Sequence, residues 1–181
     1  MNEIERRDVL GIGVAGILLT DAAATTAAPL EPLASQLITS VRIEVSSAIE
    51  QGVVDGKRKR FIPITGGSFA GPKMNGVVLA GGGDWQAIHE DGLTEIFARY
   101  SLRTDDGVTI AITNPGVRVA TPDVIRRLVN GEDVPPSQYY FRTTPSFEVA
   151  AGPYDWLRRK VFVGRAIRKP DHVLMDVFEI A

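Results

Sequence analysis

The chain has 181 residues, enough for one domain with a sizeable core, and it carries 20 Lys and Arg against 22 Asp and Glu with no cysteine. That charge balance lacks the basic footprint of a nucleic-acid binder, and the absence of thiols excludes disulfides, cysteine nucleophiles, thiolate zinc clusters and iron–sulfur centres. With 18 Gly and 11 Pro, the composition favours short strands and turns over long helices.

The first 24 residues differ from the rest. Arg6-Arg7 precede the apolar run Val9–Leu19, which is followed by Ala22-Ala23-Ala24. This is the pattern of a charged segment, a short hydrophobic segment and a small-residue cleavage site. The run is too short to span a bilayer, which takes about 20 residues, and the paired arginines resemble a twin-arginine export signal. The alternative, an N-terminal helix packed on the domain, is disfavoured by the glycines in the run. We therefore expect cleavage after Ala24, a linker over residues 25–37 and a single domain over 38–181. The expected location is periplasmic or secreted, with no stable membrane span after cleavage. Removal takes two Arg and four acids from the totals and leaves 18 of each, a neutral mature chain.

Thr39–Ala48 alternates Val41, Ile43 and Val45 with Arg42, Glu44 and Ser46, a half-buried strand. Gly52–Gly56 reads as a turn, and Lys57-Arg58-Lys59-Arg60 as the solvated start of a strand, with an anion-binding run as the alternative. Short strands are expected over Phe61–Thr65, Met74–Ala80 and Trp85–His89. The glycine clusters between them, Gly66-Gly67 and Gly81-Gly82-Gly83, read as sharp turns that bring Asp84 and Trp85 to a mouth. Asp91-Gly92 opens Leu93–Arg103, and Asp105-Asp106-Gly107 turns it into Val108–Thr113, a hairpin that Asn114-Pro115-Gly116 should end.

Thr121-Pro122-Asp123 followed by Val124, Ile125, Leu128 and Val129 predicts a helix of about two turns, stopped by Asn130-Gly131. Tyr139–Val149 returns to strand, Pro153–Leu157 to a helical turn, and Lys160–Ile167 with Val173–Ile180 forms a closing hairpin. About nine strands with short connections predict a mainly β fold, an antiparallel closed β-barrel whose interior is filled or holds one small ligand, with the helix covering a mouth.

Four separated segments sharpen this reading: Ile64-Thr-Gly-Gly-Ser-Phe-Ala-Gly-Pro72, Gly81-Gly-Gly-Asp-Trp85, Ala98-Arg-Tyr100 with Asp105-Asp-Gly107, and Tyr139-Tyr-Phe-Arg-Thr-Thr-Pro145. Together they resemble the bacterial and fungal family described as domain of unknown function 3237, over roughly residues 38–180. The resemblance implies a lipocalin-like barrel and no particular activity, and the export signal is an addition to the usual domain.

Several residues carry candidate chemistry. Asp84 beside the Trp85 indole is either a general acid or base whose pKa an apolar wall raises, or a turn cap beside a core aromatic. Asp176 shares its strand phase with Leu174, Phe178 and Ile180, so it is either paired, with Arg99 as the expected partner, or chemically unusual. Tyr140 and Arg142 share a phase with Glu148 and could polarise a substrate oxygen. The bland reading of that set is aromatic packing with a surface arginine.

No serine sits in a nucleophile elbow, and neither glycine cluster matches a phosphate-binding loop or dinucleotide fingerprint. His89 and His172 flank separate turns and read as surface residues rather than metal ligands. The sequence thus points to a protein without cofactor or metal, acting on a small aromatic or carbonyl-containing molecule by proton transfer of the isomerase, lyase or hydratase type. The alternatives are a periplasmic ligand-binding protein and an exported scaffold subunit. Apolar residues on both faces of 93–113 predict a homodimer or higher homo-oligomer.

Overall fold

The computed structural model describes residues 30–181; the signal-like segment and its cleavage site lie outside the described residues. Ten strands follow in chain order: β1 (Ser35–Val45), β2 (Ile49–Val54), β3 (Lys57–Ala70), β4 (Gly76–Ile88), β5 (Leu93–Thr104), β6 (Thr109–Val119), β7 (Tyr140–Thr143), β8 (Ser146–Val149), β9 (Val161–Arg168) and β10 (His172–Ile180). All neighbouring pairs are antiparallel. The pairing runs β1–β10–β9–β7–β6–β5–β4–β3, and β3 returns to β1, closing eight strands into a barrel. The two extra strands are β2, which pairs β3 as a hairpin, and β8, which pairs the first half of β6.

The glycine clusters are not turns. Gly66 and Gly67 lie inside β3, and Gly81 to Gly83 inside β4, so two expected strand breaks become two long, kinked strands. The ladder shifts register between Ile64 and Ser68 on β3 and between Leu79 and Gly83 on β4, which marks them as bulges where a strand bends to close the barrel. Gly67 has φ +135°, and a Cβ there would collide with the Arg42 carbonyl oxygen of β1. At Gly83 a Cβ would run into the Phe61 ring. Glycine is required at these points because backbone or ring sits where a side chain would begin.

β6 also continues through its expected stop. Ile110–Thr113 pairs with β8 and Gly116–Val119 with β7, so Pro115 falls where the neighbouring strand changes and no ladder partner is lost on that side. The change in partner explains how a proline sits in a central strand.

The expected helix forms as α1 (Pro122–Val129). Thr121 is its N-cap, accepting from the Val124 N–H, Pro122 opens it, and Ile125 and Leu128 are buried. These side chains pack with Ile88 and Val134 in a small cluster at the end of the barrel where β4 stops. A 3₁₀ turn, Asp155–Arg159, stands near the expected helical turn and buries Leu157.

The interior divides along the barrel axis. At the end away from α1, Phe69, Met74, Leu102, Ile110, Leu157 and Phe162 are all buried in a continuous apolar core. There the barrel is filled by side chains, as strand number allows. At the α1 end the inward positions become polar.

Gly67→Ala is expected to lower stability by about 1–3 kcal/mol more than Gly81→Ala. Both positions have positive φ, but only the first meets backbone; a Cβ at Gly81 meets nothing. Urea unfolding of both variants measures the difference, and equal losses would show that barrel closure tolerates bulk beside Arg42.

Candidate functional site

Period-two alternation fixes which side chains enter the barrel. On β4, Asp84, Gln86 and Ile88 point inward and Trp85 points out, 44% exposed against Phe61 at a ring separation of 4.8 Å. Adjacent strand residues cannot share a face, so Trp85 is not the apolar wall of the Asp84 carboxyl, as the sequence led us to expect. Register then builds layers. Ile62, Asp84, Ala98 and Asn114 stand opposite one another across β3 to β6. The next layer towards α1 holds Arg60 opposite Gln86 and Gln86 opposite Ile96. Beyond it, Arg118 lies opposite Thr94 on β5 and Phe141 on β7. Tyr100, two residues beyond Ala98 on β5, lies on the opposite, apolar side of the Asp84 layer.

These layers enclose a cavity with about 40 Å³ in which a water-sized sphere can be centred, enough for a few waters or a flat small molecule after modest adjustment. Its walls are apolar (Ile43, Ile64, Ile96, Phe141), interrupted by Asp84, Gln86, Tyr100, Asn114, Arg118 and Arg168. Outside it, a surface hollow between the β1–β2 connection, the end of α1 and the β9–β10 turn shares Val45 and Arg168 with the cavity.

The polar groups are incompletely paired. Gln86 donates to Asp84 Oδ2 at 2.5 Å and accepts from Arg60 Nε at 2.9 Å. Asp84 is half-buried as a residue, yet its Oδ1 is fully enclosed and has no partner. Arg118 is 0% exposed, and none of its three guanidinium nitrogens finds an acceptor. Its neighbour is the Phe141 ring, 5.8 Å away at the centroid. Arg168 is tied down: its Nη1 donates to the His172 carbonyl at 3.2 Å and to that of Lys169, and its backbone N–H donates to the Tyr139 hydroxyl.

Electrostatics follow from this geometry. Burial pushes the Asp84 carboxyl above the ordinary carboxylate range, outweighing the Gln86 hydrogen bond, the nearby charges of Arg118 and Arg60 and the approach of the Phe97 backbone N–H, whose geometry falls short of a hydrogen bond to Oδ1. Burial pulls Arg118 down to about 10, helped by repulsion from Arg60 and opposed by Asp84. Arg60 is likewise pulled to about 10 by burial and by Arg168. Tyr100 is held well above its usual value by burial and then by Asp84, so it remains a neutral donor. Asn114 pulls Tyr100 the other way, but the geometry is not that of a hydrogen bond, and both Tyr100 OH and Asn114 Oδ1 are unpartnered.

The other expected site residues lie elsewhere. Tyr140 is 51% exposed and stacks under Arg142, whose guanidinium carbon is 4.8 Å from the ring centroid, on the outside of the barrel. Arg142 Nη1 donates to the Phe141 carbonyl. Arg99 approaches Glu148 at 3.9 Å, both well exposed, and not Asp176. Asp176 faces outward, where it accepts from the hydroxyl of its cross-strand neighbour Ser40 at 2.6 Å. The inward residues of β10 are Met175 and Val177, so the apolar face that Asp176 shares is an outer one.

Arg60, Arg118, Arg168, Gln86, Tyr100 and Asn114 escaped the sequence reading. Reading Lys57 to Arg60 as a solvated run concealed that Arg60 is in phase with Ile62 and Ile64 and only 2% exposed. Ending β6 at Asn114 concealed that Arg118 continues the inward face of Ile110, Ile112 and Asn114. A charged side chain in phase with a core face was the available signal.

The pattern of the family described as protein of unknown function (DUF3237) matches residues 33–180. The chain belongs to that family. Within DUF3237 it is 40% identical over 145 residues to a UPF0311 protein of Clostridium acetobutylicum, covering 80% of this chain and 92% of the relative. A crystal structure of a conserved protein of unknown function from Rhodopseudomonas palustris superposes with a TM-score of 0.79 at 34% identity, covering 84% of this chain and all of that one. A more distant structure, described as an enzyme from Penicillium herquei, shares the fold with a TM-score of 0.65 at 20% identity over 86% of this chain and all of the other.

The raised Asp84 value sets a sign. The folded state holds this proton more tightly than the unfolded chain, so the stabilisation is complete below the ordinary carboxylate range and declines as pH rises through the folded value. Over that window the wild-type Tm is expected to fall more steeply with pH than that of Asp84→Asn, measured by calorimetry in matched buffers. Parallel profiles would place Asp84 in an ordinary, solvated environment.

Proposed function

We propose that the DUF3237 barrel of this protein is a cofactor-free enzyme that moves a proton on a small carbonyl-bearing molecule held in the cavity. The observation that carries the reading is the Asp84 carboxyl, with one enclosed and unpartnered oxygen, facing the same cavity as the unpartnered Tyr100 hydroxyl. A carboxylate whose pKa is raised towards neutrality is a better base than an ordinary one and a usable acid on the return step. Asp84 would take a proton from the carbon next to the carbonyl, and the electron pair would move onto the carbonyl oxygen. Tyr100 donates a hydrogen bond to that oxygen as charge develops, the role expected of Tyr140 and Arg142 from sequence. Returning the proton to a different carbon gives an isomerisation, and expelling a group on the next carbon gives a lyase reaction.

Hydrogen exchange tests this chemistry on any carbonyl compound that fits the cavity. The protein is incubated in D₂O with a panel of small ketones and keto acids, and deuterium uptake next to the carbonyl is followed by mass spectrometry. Uptake above the buffer rate is expected, falling about 10²- to 10⁴-fold in Asp84→Asn. Ligand retention without exchange would favour a periplasmic binding protein instead, and mass spectrometry of whatever co-purifies with the native protein identifies the ligand.

We further propose that the chain is exported, and that it assembles with itself through its outer surface. Phe61, Trp85, Phe97 and Pro115 stand side by side across β3 to β6, with Val117, Val119 and Tyr140 beside them. Exposed apolar patches of this kind mark association surfaces. Light scattering at micromolar concentration is expected to give a dimer or larger for wild type and a smaller species for Phe97→Glu. N-terminal sequencing of the exported protein is expected to begin after Ala24; a mature chain starting at Met1 would count against export.

A further inference from the structure

Three arginines meet at the α1 end of the cavity. Asp84 reaches Arg60, Arg118 and Arg168 alike, but Glu50 also reaches Arg60 and Asp171 also reaches Arg168, whereas for Arg118 Asp84 is the carboxylate that does. Arg60 has Gln86 and Arg168 has backbone carbonyls, but Arg118 has no acceptor at any of its nitrogens and no exposed surface. Enclosing a guanidinium that lacks any acceptor among the described residues is costly unless a counter-charge arrives. The planar fork fits the two oxygens of a carboxylate.

The layers also order the groups along the axis. Tyr100 is on the apolar side, Asp84 in the middle, and Arg118 towards α1 and the hollow shared with Arg168. We propose that the ligand is a small organic carboxylate whose anionic end is held by the Arg118 guanidinium, with its uncharged, carbonyl-bearing end directed past Asp84 to Tyr100. This deepens the proton-transfer reading and rests on it for the placement of the carbonyl. The anion site itself stands on Arg118 alone. A molecule entering from the hollow would bring its uncharged end through first and leave its carboxylate among the arginines.

The experiment uses the whole folded protein and the carboxylates acetate, benzoate and phenylpyruvate, with benzamide and benzylamine as uncharged and cationic counterparts of benzoate. At least one carboxylate is expected to raise the Tm and bind by calorimetry, while benzamide and benzylamine bind roughly 10- to 100-fold more weakly than benzoate or not at all. Arg118→Met is expected to lose the carboxylate effect and, without ligand, to melt higher than wild type, because an unpaired buried charge has been replaced by a side chain of similar length. Arg118→Lys, which keeps the charge but not the fork, is expected to retain part of the binding. Asp84→Asn is expected to bind the carboxylate at least as well as wild type, since a neighbouring negative charge is gone. Failure of all three carboxylates, equal binding of benzamide, or an Arg118→Met protein that melts lower or does not fold would overturn the anion site. Carboxylate binding lost in Arg118→Met but unaccompanied by deuterium exchange would leave the anion site standing and remove the proton-transfer reading alone.

Discussion

Closure of β1 onto β3 is the constraint on which the rest of this molecule depends. A barrel of eight strands has no free edge at the seam only if β1 can pair with β10 on one side and β3 on the other, as it does from Ser40 to Glu44. That double pairing forces the backbone of β3 over Arg42, and Gly67 is the residue that permits it. Once closed, the barrel creates an interior largely shielded from bulk water. Every inward side chain must then be packed, paired or given a ligand.

The two ends of the interior meet that demand differently. At the rim of the apolar end, Glu179 is shielded by two partly exposed cations, Lys73 at 2.6 Å and Lys160 at 3.1 Å. Such a group is a structural device, satisfied from both sides. Asp84 has an amide on one oxygen and nothing on the other, and Arg118 has only an aromatic ring for company. The contrast matters because both carboxylates belong to one barrel and one chain.

Much of the barrel was legible in the sequence, and the reasons for the misses are local. Alternation gave β5, β9 and β10 nearly to their ends, and the Thr121 cap with Pro122 located α1, because each of these signals is contained within a few neighbouring residues; β1 instead starts at Ser35, inside the expected linker, and stops at Val45. The glycines at 66–67 and 81–83 and the proline at 115 were read as breaks, since locally they are the residues of turns. What keeps them in strands is tertiary: a bulge needed for closure in the first two cases and a change of neighbouring strand in the third. Those misreadings propagated into the site. Once β4 is split at Gly83 and β6 stopped at Asn114, the phase that carries Asp84, Gln86 and Arg118 inward is lost. Asp176 was favoured by its phase with Leu174, Phe178 and Ile180, and Tyr140 and Arg142 by a shared phase, but period-two alternation cannot say which face is inward, and in both strands that face is the outer one.

The apolar half shows that this backbone can be filled mainly with Ile, Leu, Val, Met and Phe, so nothing in barrel geometry requires a guanidinium at position 118. Packing would be served at lower electrostatic cost by an aliphatic residue, as it is at Ile110 and Ile112 on the same face of β6. Departures from the local rules of burial that lack an internal compensation concentrate where a protein meets its ligand. Arg118, Asp84 Oδ1 and the Tyr100 hydroxyl are three such departures lining one cavity, and they are ordered along the barrel as cation, acid and neutral donor. A ligand that satisfied all three would have to be charged at one end only, which gives the cavity a direction as well as a chemistry.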